Sequence, residues 1–520
     1  MSAHVTVNKH GGSDNSSLGE CHVSDRTPVI VGAAQITIAK GSQPGPEPLD
    51  LWEKSIRLAA DDAGIAFSEL KGTQYLGNAY CLGWNYDDQA ARLAERLGAT
   101  PQQMEVPSPS GTTGLKLMKH ACDAIRAGAD IAVVCGGEAI ATQKYYQKNG
   151  DALPFSYPAP DESNRFVLED QQHPGEGASG LLGGVGAVYT FGMRDNARRA
   201  HLGIAPDAYR HQNAELLSAM TRVAAANPHA WFPQEKSVEF LTTINDDNRL
   251  IAYPYTKHSV AIMDVDMSAA QIVLSKAKAD ALGIPEDKRV YPWTYCYADD
   301  PVDTAPRADL WRSPAMAAAS KATLNAAGIS IDQVDYIDLY SCFPAAVNFA
   351  RDALGISDRP GDKVTLTGGL PYAGGPAASY VCTSITKLVD RLKADRNGIG
   401  LISGLGMMMS NHCYGLFGTR PLENLKQVDE AAVQAELDRI PLKIVRTDYT
   451  GACTIATYTT IHDRNGDATA AAGIVDLPDG SRAYARILDE GLIAEALEVE
   501  MIGRKMEMVE AGNAGIIRAA

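Results

Sequence analysis

The sequence has no apolar run long enough to span a membrane, no Cys-x-x-Cys pair and no histidine–carboxylate motif with metal-ligand spacing. A membrane helix needs about 20 apolar residues, so we expect no membrane span. Without paired cysteines, neither a disulfide framework nor a zinc site is indicated, and we expect no bound metal. The nine cysteines are therefore predicted to be reduced and mostly buried.

Positive charge is also scarce. The chain has 47 Lys and Arg against 63 Asp and Glu, which gives a net charge of −16. A phosphate polymer or an anionic membrane surface is repelled on average by such a protein, so we expect no nucleic-acid partner.

The length of 520 residues, with 45% hydrophobic and 21% charged residues, indicates a soluble protein with more than one domain. Residues 1–27 are polar and rich in His, Ser and Gly, without the apolar core of a signal peptide. We therefore expect a flexible tail over residues 1–27 and a cytoplasmic location.

A glycine turn at Ser110–Gly114 has the setting of a catalytic turn but no nucleophile where such a turn would carry one. It precedes a predicted helix, with apolar positions at Leu115 and Met118, and then an apolar strand at Ile131–Cys135. The first N–H groups of a helix lack intrahelical partners, so this turn is a good place for an anion or an oxyanion.

An internal echo relates two parts of the chain. Ala59–Ile65 resembles Leu324–Ile329, and the two segments are followed by apolar strands at Tyr75–Gly77 and Tyr336–Tyr340. Two related α/β halves explain the echo, with helices covering sheets that are mostly parallel. Chance similarity between Ala-rich helices is the alternative.

We divide the chain by composition into two halves, residues 28–288 and 289–425. The first half contains a polar and aromatic insertion at about 145–285, and insertions of this kind tend to shape binding sites. A charged linker at 426–440 leads to a β-rich segment at 441–520, whose short strands and turns predict a small barrel or sandwich.

The segment Gly175–Gly180 matches the letters of a dinucleotide-binding loop. It follows the polar residues Gln171–Pro174, whereas a dinucleotide fingerprint follows an apolar strand and opens a helix. We therefore expect no nucleotide cofactor to be bound there.

Several segments resemble the thiolase superfamily, most closely thiolase-like proteins of type 1 with an additional C-terminal domain. The helix from Gly114 and the strand ending at Val134–Glu138 resemble the thiolase nucleophile helix and its following strand. Asp338–Phe343 resembles the Asn-Glu-Ala-Phe loop, or the His-Asp-Cys-Phe loop of sterol-carrier thiolases. Gly368–Pro376 is similar to the Gly-His-Pro loop, and Ser403–Gly406 to the Cys-x-Gly loop.

This resemblance implies a duplicated, five-layered αβαβα fold with a large inserted loop domain, plus an OB-like barrel at the C-terminus. It also implies coenzyme A or an acyl-CoA as ligand, a role in lipid metabolism, and no other bound cofactor. The catalytic residues do not carry over, because Gly111, Tyr340, Gly375 and Ser403 stand at the family's catalytic positions. Two glycines supply neither a nucleophile nor a base, so ordinary two-step thiolysis is not expected.

Four side chains are candidates for catalysis: Tyr340, Cys342, Ser403 and His412. Tyr340 and His412 would act as base and proton donor, while a buried structural tyrosine and a structural histidine are the alternatives. Cys342 would be a displaced nucleophile or a packing residue. Residues expected to line the thioester, partly through backbone N–H groups, are Ser110, Gly111, Thr112, Gly374, Gly375 and Pro376.

Two functions follow from the resemblance. The first is an acetyl-CoA acetyltransferase-like enzyme that makes or breaks a C–C bond beside a CoA thioester, with retro-aldol cleavage as the favoured chemistry because it needs no acyl-enzyme. The second is a non-catalytic acyl-CoA-binding or partner subunit on a degenerate scaffold. We expect a homodimer or a monomer, with the C-terminal domain holding the acyl-CoA or covering the site as a small partner protein does for related aldolases.

Overall fold

The computed structural model describes residues 24–160, 187–423 and 425–520. The strands in these ranges are β1 (Pro28–Thr37), β2 (Tyr75–Asn78), β3 (Gln103–Glu105), β4 (Ile131–Ala139), β5 (Leu250–Ala252), β6 (Tyr255–Thr256), β7 (Asp266–Ser275), β8 (Tyr291–Asp299), β9 (Tyr336–Asp338), β10 (Ile399–Gly406), β11 (Asn411–Gly418), β12 (Gly451–His462), β13 (Ala468–Asp476), β14 (Arg482–Ile487), β15 (Lys505–Glu510) and β16 (Gly515–Ala519).

The helices in the same ranges are α1 (Pro48–Ala63), α2 (Gln89–Leu97), α3 (Thr113–Arg126), α4 (Ile140–Asn149), α5 (Ala187–His201), α6 (Pro206–Ala225), α7 (Val238–Thr242), α8 (Lys276–Ala281), α9 (Pro314–Ala327), α10 (Pro344–Leu354), α11 (Leu370–Ala373), α12 (Tyr380–Ala394), α13 (Glu430–Leu437) and α14 (Glu490–Glu498). Residues 1–23 of the expected tail and the glycine segment Gly175–Gly180 lie outside the described residues.

Two sheets form the body of the molecule, in the orders β1-β7-β4-β2-β3 and β8-β11-β10-β9. Helices α3 and α12 lie between them, α1 covers the outer face of the first sheet, and α9 covers that of the second. The predicted five-layered, duplicated fold is therefore confirmed. Its echo has a local cause, because α1 and α9 both end at a left-handed glycine, Gly64 (φ 75°) and Gly328 (φ 66°).

The expectation of mostly parallel sheets is wrong. The β4–β2, β2–β3 and β10–β9 pairs are parallel, but β7 is antiparallel to β1 and β4, and β11 is antiparallel to β10 and β8. The short β10–β11 connection, residues 407–410, can join only antiparallel strands, whereas parallel neighbours need a long crossover. Strand β7 lies within the range 145–285 given to the insertion, so the part that leaves the sheet ends before Asp266.

The C-terminal strands close into a small barrel, as predicted. Their pairings run β12–β13–β14–β16–β15 and return to β12, with α14 between β14 and β15. Strands β5 and β6 of the inserted region extend this sheet, through the pairing of Ala252 with Ile461 of β12.

The eight cysteines in the described ranges are free, and all except the half-buried Cys342 are buried, as expected. No helix among the described residues is long and apolar enough to cross a membrane.

We expect Gly32→Ala to destabilise the fold. A Cβ on Gly32 would overlap the backbone oxygen of Ala59 in α1, so strand and helix must separate at a cost of about 1–3 kcal/mol. Gly491→Ala is the matched control, because Gly491 lies in α14 with open space around it apart from the Asp489 side chain, and alanine favours helix by about 0.5–1 kcal/mol. Urea denaturation measures both changes, and an unchanged midpoint for Gly32→Ala would contradict the close packing.

Candidate functional site

The segments that resemble thiolase active-site loops meet at one place. The backbone N–H of Tyr340 donates to Ser403 Oγ at 2.9 Å, and that of Leu370 donates to Ser341 Oγ at 3.1 Å. A Cβ on Gly404 would lie 3.0 Å from the backbone oxygen of Gly111, so β10 rests on the turn before α3. The duplicated fold thus brings together the four loops that sequence reasoning singled out.

The ring of Tyr340 fills the space beside Gly111. A Cβ built on Gly111 would lie 2.5 Å from Tyr340 Cζ and 2.7 Å from its hydroxyl oxygen, and it would overlap the backbone oxygen of Leu405. Position 111 therefore has no room for any side chain. The phenol occupies the direction that a nucleophile at this turn would take.

Tyr340 is 9% exposed, and its ring meets that of Tyr380 edge-on at 5.5 Å. Burial, and then the neighbouring Cys342, raise the pKa of Tyr340 well above its usual range. The hydroxyl stays protonated at neutral pH and is able to donate a hydrogen bond, which disfavours the expected role as a base. Burial also raises the pKa of the Cys342 thiol, which disfavours a displaced nucleophile.

His412 is not brought to Gly111. Its Nε2 lies 3.3 Å from Asp300 Oδ2 and 3.2 Å from Ser313 Oγ, and the side chain is fully buried. A Cβ on Gly415, three residues along β11, would lie 2.8 Å from Leu115 of α3. Side chains alternate along a strand, so His412 faces away from α3 and belongs to the packing of the outer layer.

The two partners of His412, Asp300 and Ser313, have structural roles at the start of α9. Ser313 Oγ donates to Asp300 Oδ2 at 2.5 Å and accepts from the N–H of Met316, which caps α9. Burial raises the pKa of Asp300, but the contact with His412 and the charge of Arg194 outweigh it and lower the pKa overall. Asp300 is therefore an anchored carboxylate below the surface.

The backbone N–H groups expected around a thioester oxygen already have partners. Gly375 donates to the Ile262 carbonyl at 2.8 Å, and Thr112 donates to Ser110 Oγ at 3.3 Å. Gly374 has a φ of 102° and is packed against Met267, while the carbonyl of Pro376 accepts from Ser379 Oγ at 2.6 Å. The described structure holds these groups in a closed arrangement.

Sequence reasoning missed a set of cations beside these loops. Lys40 Nζ lies 4.2 Å from the centre of the Phe232 ring, and Lys236 Nζ lies 4.3 Å from that of Phe240. We call Lys40, Lys236, Lys257 and His258 the basic cluster. Within the described residues, none of its three ammonium groups is ion-paired.

The charges in the basic cluster act on one another. Burial, then Lys236 and Lys257, lower the pKa of His258 to about 4. Burial and the neighbouring Lys257 also lower the pKa of Lys236. Asp247 opposes these shifts in both groups but does not outweigh them, so the mutual repulsion indicates a surface suited to an anion.

The basic cluster is attached to the Gly368–Pro376 loop. The N–H of Phe232 donates to the Tyr372 carbonyl at 2.8 Å, and the Tyr372 hydroxyl donates to the His258 carbonyl at 2.9 Å. The insertion was expected to shape a site, but Lys40 follows β1, far away in sequence, and no local pattern links it to Lys236. Among the described residues, no group of three or more His, Cys, Asp or Glu side chains is arranged to hold a metal ion.

Comparison with known proteins agrees with this architecture. A family profile described as the thiolase-like protein type 1 additional C-terminal domain matches residues 432–513. A solved monomeric SCP2-thiolase like protein type 1 from Mycobacterium smegmatis superposes with a TM-score of 0.81 at 29% identity, covering 96% of this chain and 100% of that one.

Two curated relatives match shorter stretches. An acetyl-CoA acetyltransferase of Syntrophomonas wolfei is 38% identical over 115 residues, which is 22% of this chain and 26% of that protein. A 3-ketoacyl-CoA thiolase of Pseudoalteromonas translucida is 30% identical over 128 residues, 24% of this chain and 31% of the relative. The matched part spans less than a third of the length of either relative.

The duplicated fold, the converging loops and these likenesses support a protein similar to the thiolase superfamily. The additional C-terminal domain and the full-length likeness support thiolase-like protein type 1, the group that the sequence motifs predict.

We expect Gly111→Cys to destabilise the protein without creating a thiolase nucleophile. The new side chain would meet both Tyr340 and the Leu405 carbonyl, with an overpacking cost of about 1–3 kcal/mol. Adding Tyr340→Ala removes only the first obstacle, because the carbonyl belongs to the backbone of β10. Urea denaturation measures the cost, and mass spectrometry after incubation with acetyl-CoA reports acylation; an acetyl adduct on Cys at position 111 would contradict the closed turn.

Proposed function

We propose that the protein binds an acyl-CoA, with the phosphates of CoA at the basic cluster and the thioester directed towards Tyr340. The observation that carries this proposal is the group of lysines without carboxylate partners in a chain of net charge −16. Phosphate oxygens are the natural countercharge for such a group.

The thioester would not be attacked by a protein nucleophile. Position 111 cannot hold a side chain, Tyr340 stays protonated, and the Cys342 thiol has a raised pKa. A non-catalytic role in holding acyl-CoA on a thiolase scaffold therefore fits the site best.

Retro-aldol cleavage of a β-hydroxyacyl-CoA is the second candidate, and one observation favours it. The protonated hydroxyl of Tyr340 lies where a thiolase presents its nucleophile, so it is placed to donate a hydrogen bond to a thioester oxygen or an enolate. In this reaction the β-hydroxyl would lose its proton to solvent as the C–C bond breaks, leaving a carbonyl product and the enolate of the CoA ester. Tyr340 would donate a proton to that enolate and regain one from solvent, and His412 would take no part because it faces away.

Removing two charges of the basic cluster should weaken binding. We expect Lys236→Met with Lys257→Met to raise the Kd for acetyl-CoA at least about tenfold, because charge-assisted phosphate contacts are lost. Lys54→Met, an exposed lysine of α1, makes the same kind of charge change elsewhere and should leave the Kd within about twofold. Isothermal titration calorimetry gives both values, and equal affinities for the double variant and the wild type would remove the basic cluster from the site.

The pKa of His258 offers a direct signal of anion binding. A bound phosphate would offset the field of Lys236 and Lys257, so the pKa of about 4 should rise when the 3′,5′-bisphosphate of adenosine is added. An NMR titration of the His258 ring protons, assigned with His258→Gln, measures the change. A pKa that does not move at saturating ligand would place the phosphates elsewhere.

One series of incubations distinguishes the non-catalytic role from retro-aldol cleavage. We expect no turnover of acetoacetyl-, β-ketoacyl- or β-hydroxyacyl-CoA, with or without free CoA, when products are followed by mass spectrometry. Cleavage of the β-hydroxyacyl ester without free CoA, abolished by Tyr340→Phe, would establish the retro-aldol reaction instead. Cleavage that requires free CoA would revive thiolysis and overturn both candidates.

A further inference from the structure

The C-terminal barrel holds a segment of the thiolase-like body. We call residues 301–312, between β8 and α9, the strap. The Tyr484 hydroxyl of β14 donates to the Asp303 carboxylate and accepts from the N–H of Ala305 at 3.1 Å. Arg482 Nη1, on the same strand, donates to the carbonyls of Ala305 at 3.1 Å and Arg307 at 2.6 Å.

The strap in turn holds the β10–β11 connection, residues 407–410. Arg307 Nη1 donates to the Met409 carbonyl at 2.9 Å, and its Nη2 donates to the Met408 carbonyl at 3.1 Å. Arg194 Nη1 reaches the same Met409 carbonyl at 3.3 Å. Both arginines are buried, and in the described ranges neither forms a direct ion pair with a carboxylate. Their hydrogen bonds go to backbone carbonyls.

The connection needs such support. Met407 and Met409 have φ values of 54° and 56°. Residues other than glycine rarely adopt this backbone conformation, which costs about 1 kcal/mol or more for each residue. The guanidinium groups of Arg194 and Arg307 hold this strained backbone through the carbonyls of Met408 and Met409, and removing these groups would release it.

The connection also lies against the candidate site. A Cβ on Gly406, where β10 ends, would overlap Ser110 Oγ, and the carbonyl of Leu405 covers Gly111. Movement of residues 407–410 would therefore displace the turn before α3 and the ring of Tyr340.

We propose that the C-terminal barrel fixes the geometry of the candidate site through the strap, with Arg307 as the positioning residue. The contacts run from Tyr484 and Arg482 to the strap, from Arg307 to Met408 and Met409, and from Gly406 to Ser110. This inference rests on the proposed function only in naming the site as that of an acyl-CoA. Its test needs no ligand, so its failure is distinct from failure of acyl-CoA binding.

Hydrogen–deuterium exchange of the full chain, followed by mass spectrometry, tests the proposal. We expect Arg307→Lys to speed exchange about tenfold in peptides covering residues 405–411, because a lysine cannot bond both carbonyls. Arg289→Lys is the matched control: Arg289 is also buried and donates to the Ile284 carbonyl at 3.0 Å, but it lies outside the strap. It should leave exchange at 405–411 unchanged even if it lowers the melting temperature.

Tyr484→Phe extends the test to the barrel, and it removes only one hydroxyl group. We expect faster exchange in the strap and also at residues 405–411, by about threefold or more, since the link passes through both. Exchange at 405–411 that matches the wild type in both Arg307→Lys and Tyr484→Phe would overturn the proposal. Faster exchange in the strap alone would do so as well, because it would show that the barrel does not act on the site.

Discussion

The carbonyl of Leu405 lies against Gly111, and the rest of the candidate site depends on this contact. It requires glycine at 111, and glycines at 404 and 406 let β10 come close to the turn before α3. Once the strand sits there, the ring of Tyr340 fills the remaining space. The missing nucleophile is thus one part of a closed packing arrangement, and a single substitution cannot reverse it.

The candidate site and the basic cluster differ in how their polar groups are paired. The loops that would surround a thioester are present and in place, yet their polar groups are paired within the protein. The basic cluster lies beside them with no carboxylate partner for its lysines in the described ranges. The proposed binding of an anionic ligand depends on this unpaired positive charge.

Much of the architecture was readable from the sequence, because it rests on local rules. The repeated Ala-Gly-Ile helix ends indicated the duplication, and the short strands and turns over residues 441–520 indicated the barrel. The strand directions were missed, since no local pattern shows where a chain re-enters a sheet. Only part of the site could be predicted from the sequence. The positions of the loops followed from motifs, but the direction in which His412 points depends on the alternation of side chains along a strand in its sheet. Lys40 and Phe232 come together only in the folded chain.

The pairing of Ala252 with Ile461 bears on how the chain folds. Strand β12 completes a sheet begun by β5 and β6 some two hundred residues earlier, and the Arg199 guanidinium in α5 pairs with Glu500 at 2.5 Å. Contacts of such long sequence separation form slowly, because the intervening chain must first be ordered. During synthesis the inserted region therefore cannot complete its packing until the barrel has left the ribosome, and part of its apolar surface stays uncovered until then.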